Sequence, residues 1–237
     1  MKIKTKKPTG FILFEGPSIL DGSPIVVIST LKTSNHKTGD MIQTWVIRSD
    51  ISPLEASKKK LGTAICGNCP HRHAVGGACY VNIGQAPQGI YKAYKRGSYP
   101  HFNIADHGHL LSGRKIRFGA YGDPAAAPYE IWDMLAQLSA GFTGYTHQAK
   151  HRNFDSRILE FCQLSLDTKK QAENAKSGYF RIVTDKADTL PDEIECLSDS
   201  KGINCADCLK CDGTNKIFIQ VHGSRKNRFL NNVIARG

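Results

Sequence analysis

The sequence contains no run of ~18 apolar residues, so no membrane span is expected. It also lacks the apolar segment and small-residue cleavage site of a secretory leader. The lysine-rich start Met1–Pro8 is followed by neither. With no export signal, the chain is expected in the cytoplasm, where thiols stay reduced. Phosphate-cradling loops of the Gly-x-x-x-x-Gly-Lys-Ser/Thr and Gly-x-Gly-x-x-Gly types are missing, and so is Gly-x-Ser-x-Gly. There is no internal repeat, no low-complexity tract and no Pro/Gly/Ser-rich linker.

Acidic residues are comparatively scarce. Against 32 Lys and Arg there are 21 Asp and Glu, a formal net charge of +11. Such a surplus suits contact with a polyanion, most often nucleic acid. The cations are spread along the chain, with modest clusters at Lys2–Lys7, Lys58–Lys60 and Arg225–Arg228, a pattern that also describes a solvated basic surface. Tyr91, Tyr94 and Tyr99 interleave with Lys92, Lys95 and Arg96. That stretch could stack bases and meet phosphates, or form an amphipathic helix with exposed lysines.

What remains is an ordinary globular composition. The 237 residues are 40% hydrophobic and 22% charged, enough to bury a core without disulfides as staples. Short apolar runs predict strands at Phe11–Phe14, Ile25–Ile28, Thr44–Ile47, Lys115–Tyr121, Phe142–Tyr145, Cys162–Leu166, Tyr179–Val183 and Ile217–Val221. Helices are predicted at Pro128–Ser139, with Ile131, Trp132, Leu135 and Leu138 as its apolar face, at Asn153–Glu160, and at Thr168–Lys176 with Thr168 as N-cap. Strand and helix alternate from Lys115 to Asp185, which favours parallel strands with crossover helices. The first three strands lack such helices and are expected to pair antiparallel or extend one edge. The predicted fold is α/β, an incomplete (β/α) barrel or an open, mostly parallel sheet, with a cysteine-rich C-terminal extension. The acidic, irregular stretch Asp185–Glu195 divides a body (1–190, with a cysteine loop at 66–79) from a tail (191–237) that closes with a final strand.

The strands end in polar residues: Gly122-Asp123-Pro124, Thr146-His147-Gln148, Asp167-Thr168, Thr184-Asp185 and His222-Gly223-Ser224. In parallel sheets and barrels, ligands bind at the carboxyl ends of strands. Gly122, Asp123, His147, Asp167 and His222 are therefore candidate site residues, although Thr168 also reads as a simple helix cap.

Eight cysteines fall into two groups and one outlier. The first group is Cys66, Cys69 and Cys79, spaced C-x2-C-x9-C. The second is Cys196, Cys205, Cys208 and Cys211, spaced C-x8-C-x2-C-x2-C. Cys162, inside a predicted strand, reads as a small buried hydrophobe. Four thiolates suit zinc or an iron–sulfur cluster. The second group could close a site alone. The first offers three thiolates, with His71 and His73 as candidate fourth ligands, or with one iron of a four-iron cluster left open to a small ligand. The tight Cys205–Cys211 run is closer to ferredoxin spacing than to the separated knuckles of zinc motifs. His101, Asp106, His107 and His109 form a further candidate. Their His-x-His pair is similar to the metal motif of rolling-circle nucleases, but Gly108 stands where those have an apolar residue, and the alternative is a loop that caps a helix.

Two of these features together carry a resemblance. Arg117-Phe-Gly-Ala-Tyr-Gly-Asp-Pro124, downstream of a cysteine loop, resembles the radical SAM enzymes, which place a Gly-Gly-Glu-Pro-like segment there to meet the amino group of S-adenosylmethionine. The tail resembles their auxiliary-cluster extensions. The whole chain is also similar to a group of uncharacterised phage proteins that share a Cys-x2-Cys…Cys-Tyr loop, a Gly-Asp strand end and a C-terminal cysteine cluster, some labelled as replication-associated. The likeness spans Cys66 to Cys211. It departs from radical SAM enzymes in its C-x2-C-x9-C spacing, where they carry C-x3-C-x2-C, and in Asp123, where they carry glutamate. The resemblance implies a phage-encoded protein of the host cytoplasm that holds a 4Fe-4S cluster. It implies S-adenosylmethionine near Gly122 and Asp123, a substrate space lined by His147 or Asp167, and action on nucleic acid or nucleotides. Two other readings stay open: a zinc-stabilised nucleic-acid-binding protein, and a non-catalytic redox or structural cluster protein.

Overall fold

Long Ile/Val-rich runs form strands covered on both faces, and alternating runs form strands covered on one. Both kinds occur in the computed structural model, which describes residues 7–223 and 225–234. Strands β1 (Gly10–Pro17), β2 (Pro24–Thr30), β3 (Ile42–Arg48), β4 (Lys115–Tyr121) and β5 (Gly141–Thr143) make a mixed sheet in that order. β2 is antiparallel to both β1 and β3, whereas β3, β4 and β5 run parallel. β2 and β3 are buried along almost their whole length. A second sheet comprises β6 (Tyr145–Thr146), β7 (Gln163–Leu166), β8 (Tyr179–Val183), β9 (Ile194–Glu195) and β10 (Lys216–Gln220). Its order is β6-β7-β8-β10-β9, and it is parallel throughout. The fold is thus α/β, antiparallel at its N-terminal edge and parallel beyond it, and neither sheet closes into a barrel.

The sheets meet at Gly144, between β5 and β6. Its N–H donates to the Cys211 carbonyl and its own carbonyl accepts from Gln163 N–H, each at 3.0 Å. A side chain there would stand 2.6 Å from Cys162 Sγ, so close packing demands glycine. Cys162 itself is buried in the core, as a small hydrophobe would be.

The helices are α1 (Pro53–Lys58), α2 (Thr63–Cys66), α3 (Ala86–Lys95), α4 (Ile104–Leu111), α5 (Tyr129–Leu138), α6 (Lys169–Glu173), α7 (Leu197–Ser200), α8 (Cys205–Cys208) and α9 (Lys226–Ile234). α5 buries Trp132 completely, and its indole N–H donates to the Pro124 carbonyl at 2.9 Å. This bond ties the helix to the turn that follows β4. α6 is shorter than its predicted span, but Thr168 caps it with Gln171 in a reciprocal capping box. Asn153–Glu160, predicted helical, is a 3-10 helix over Ser156–Glu160 capped by Asp155. Among the described residues, no helix is long and apolar enough to cross a membrane.

Two departures from plain strands matter. β4 bulges after Arg117: Gln43 pairs with Arg117, but Trp45 pairs with Tyr121. Thr44 pins the bulge, its hydroxyl donating to the Arg117 carbonyl (3.1 Å) and accepting from Gly119 N–H (2.9 Å). Gly119 takes φ 65°, which L side chains resist. The acidic stretch Asp185–Glu195 carries β9 at the sheet edge and Glu193, whose side chain is fully covered. That carboxylate accepts from Arg181, Tyr179 and the Leu190 N–H. The tail beyond it supplies β10, which lies between β8 and β9. Lys2–Lys6 of the first basic cluster, and Ser224 of the last strand end, lie outside the described residues.

Candidate metal centres at the strand ends

The first cysteine group is shaped by a tight turn. α2 ends at Cys66, and Cys69 N–H donates to the Cys66 carbonyl at 3.0 Å. Gly67 between them has φ 45° and ψ −124°, the first central position of a type II′ turn. Gln148, buried just past β6, clamps this turn from across the cleft. Its Nε2 donates to the Cys66 carbonyl (2.9 Å) and its Oε1 accepts from Asn68 N–H (3.1 Å). Cys79 is brought back to the turn by its N–H, which donates to the His71 carbonyl at 2.9 Å. Burial pushes the Cys66 thiol well up, with Cys69 and Cys79 adding to it, and burial likewise raises Cys79.

Beside this group lies a histidine–carboxylate set. Asp167 Oδ1 is 2.8 Å from His71 Nε2 and 3.5 Å from His147 Nε2. These three ligand atoms all fall within 4.8 Å of one another. His147 Nδ1 is 3.6 Å from Cys69 Sγ. Burial opposes the charge on His147, but Asp167 and Cys69 outweigh it and push its pKa up to about 10. Burial likewise opposes ionisation of Asp167, and its two histidines reverse the balance and hold it below the carboxylate range. His71 Nδ1 is buried without a partner. His73 is engaged elsewhere, by the Val81 carbonyl and Arg225.

Asp123 is held by backbone amides at its strand end. Its Oδ2 accepts from His147 N–H (2.9 Å) and its Oδ1 from Ala125 N–H (3.0 Å). Burial raises its pKa, although these donors pull the other way. The carboxylate therefore knits β4, β6 and the following turn together.

The second group is set by α8 and the strands beside it. Cys196 N–H donates to Phe218 of β10 at 2.8 Å, and Cys205 N–H to Lys37 at 2.8 Å. Leu209 turns the chain through a left-handed conformation (φ 52°) toward Cys211. All four cysteines line one small cavity, together with Thr143 and Tyr145. Burial pushes the Cys211 thiol up to about 12, against the pull of Tyr145 and Arg117. Cys205 is also raised by burial, with Arg117 and Lys37 opposing.

Both groups open on a single cleft of about 1110 Å³, the upper end of the size range of ligand pockets. Cys66, Cys69 and Cys79 line it, as do Gly122, Asp123, His147, Asp167 and His222. Cys196 and Cys205 reach it from the other side, while Cys208 and Cys211 face the smaller cavity. Among the described residues, no three cysteine sulfurs lie within 4.8 Å of one another. A tetrahedral ion with metal–sulfur bonds of ~2.3 Å would hold its sulfurs about 3.8 Å apart.

The remaining candidates are bound up in the fold. His107 accepts from Asn103 N–H at the start of α4 and packs on Phe11, so the 101–109 stretch caps a helix. Tyr91 and Tyr94 lie on α3 beneath Lys95, and the Tyr94 hydroxyl donates to Glu15. Spacing alone did not single out Gln148, Arg117, Thr143 or Tyr145, which all serve the two cysteine groups. Gln148 stood in a named strand end. Arg117 shares with Lys115 the β4 face opposite Ile116 and Phe118, an alternation that would have marked both. No family model, curated protein or solved structure matches this chain.

Proposed function

We propose that the protein is an iron–sulfur enzyme of radical-SAM-like architecture. One observation carries this reading: Cys66, Cys69 and Cys79 line one cleft with the carboxyl ends of β4, β6 and β7, and Cys196 and Cys205 of the second group line it too. The strand succession β3-β4-β5 and β6-β7-β8-β10, interrupted only at Gly144, supports an incomplete barrel. Cys66, Cys69 and Cys79 would hold a four-iron cluster with one iron free for a small ligand, and the second group would hold another. Such centres supply single electrons. The partnerless His71 Nδ1 beside the first group fits a site with a further occupant. The bulged backbone from Gly119 to Gly122 faces the cleft where S-adenosylmethionine would lie, and Asp123 stiffens it rather than binding directly. Lys32, Lys37 and Arg72 along the walls favour an anionic substrate such as a nucleotide or nucleic acid.

Anaerobic purification with iron, sulfide and zinc analysis tests the reading. A brown protein with iron and sulfide in near-equal amounts is expected, and Cys69→Ser and Cys208→Ser should each remove a separate share. A colourless protein with stoichiometric zinc would overturn it in favour of the zinc-stabilised alternative. Iron without binding or reductive cleavage of S-adenosylmethionine would leave a redox or structural cluster protein.

A further inference from the structure

Three polar side chains lie around the second cysteine group, and none donates to a carboxylate or a carbonyl among the described residues. Arg117 on β4 makes no salt bridge to a carboxylate among the described residues, and its guanidinium lies 4.7 Å over the Tyr145 ring. Arg117 and Cys205 line the same cleft. Tyr145 lines the cavity of the four cysteines beside Cys211. Thr143, on β5 and 1% exposed, has a buried hydroxyl with no partner, and it lines the cavity of the four cysteines.

Without a metal, the site leaves Arg117 with no carboxylate partner among the described residues and the buried Thr143 hydroxyl with no acceptor. Both conditions oppose folding. A tetrathiolate metal centre is anionic and removes both problems at once. We infer that Arg117, Thr143 and Tyr145 form the charge-balancing donor shell of an anionic metal–thiolate centre at Cys196, Cys205, Cys208 and Cys211. The inference rests on metal binding by this group. These three are positioning residues beside the ligands, and none replaces one.

The test is chelator competition on the full chain. The Cys208→Ser variant first identifies the share of bound metal that belongs to this group. Arg117→Met should then release that share on the order of 10-fold more readily, as loss of a partner that orients metal ligands commonly does. Arg117→Lys should lie closer to the parent, and the remaining metal should be unaffected. Tyr145→Phe, which keeps the ring, and Thr143→Val, which keeps the shape, should weaken retention as well. Thr143→Val separates this shell from ordinary packing by sign: the metal-free protein should be as stable as the parent or more so, while its metal is held less tightly. Unchanged retention in Arg117→Met and Thr143→Val overturns the inference, as does a metal-free Thr143→Val protein less stable than its parent. A Cys208→Ser variant that loses no metal overturns the metal-binding reading of the group, and the inference with it.

Discussion

Replacing Gly67 by alanine should damage the first cysteine loop through Gln148, and a double-mutant cycle can isolate that route. Two effects add in the single variant. The backbone at φ 45° and ψ −124° is one that L residues rarely adopt, at a cost of about 1–3 kcal/mol. The new methyl would also stand 2.0 Å from Gln148 Oε1, so the side chain must swing away. Doing so breaks its bonds to the Cys66 carbonyl and Asn68 N–H, each worth about 1 kcal/mol net. Gly67→Ala should therefore cost about 3–5 kcal/mol. In a Gln148→Ala background those bonds are already gone and the clash is relieved, so only the backbone part remains. The double variant should be about 2 kcal/mol less destabilised than the sum of the singles. Urea unfolding of the parent, the two singles and the double at one pH measures the cycle. Additivity to within about 0.5 kcal/mol would show that Gln148 does not restrain the turn.

Other perturbations have equally definite outcomes. Trp132→Ala removes a fully buried indole and its bond to Pro124, and should lower stability by about 3–5 kcal/mol in the same assay. Burial pushes the Glu193 pKa upward, but Arg181, the Leu190 N–H and Tyr179 prevail and hold it below its ordinary 4.5. Its stabilisation is thus complete above that pH and lost as the pH falls through the folded value. Glu193→Gln should cost about 1–3 kcal/mol at pH 7, and the gap to the parent should close in acid, as read by urea midpoints. Asp167→Asn removes the carboxylate that keeps His147 charged. The His147 pKa should then fall from about 10 toward the ordinary imidazole range, followed by NMR on the metal-free chain.

Local pattern is readable where the partner is local or generic. Lys115–Tyr121 and Tyr179–Val183 match their strands to the residue because one face of each rests on the core. Thr168 is readable as a cap because its bonding partner, Gln171, lies three residues away. The strand ends identify the cleft for the same reason, since any parallel sheet gathers its carboxyl ends together. Partners distant in sequence leave no such trace. Gln148 acts on a turn 80 residues away, and Thr44 bends β4 from a neighbouring strand. Glu193 looks like part of a polar linker until Arg181 is placed against it. Asp123 shows the complementary case: its position in the strand is legible, but the inward turn of its carboxylate depends on backbone amides of β6 and the following turn.

The placement of β10 between β8 and β9 sets an order of events during synthesis. β9 pairs with β10 alone, so its short edge has no partner when it leaves the ribosome. Cys196, Cys205, Cys208 and Cys211 emerge after β9 and before β10, while β3, β4 and the 66–79 loop are already available to fold. Because nascent chains fold from the N-terminus, the first cysteine loop has its scaffold while the second group still waits for the strand that binds Cys196. The two cysteine groups therefore take shape in sequence, and the later one depends on completion of the sheet.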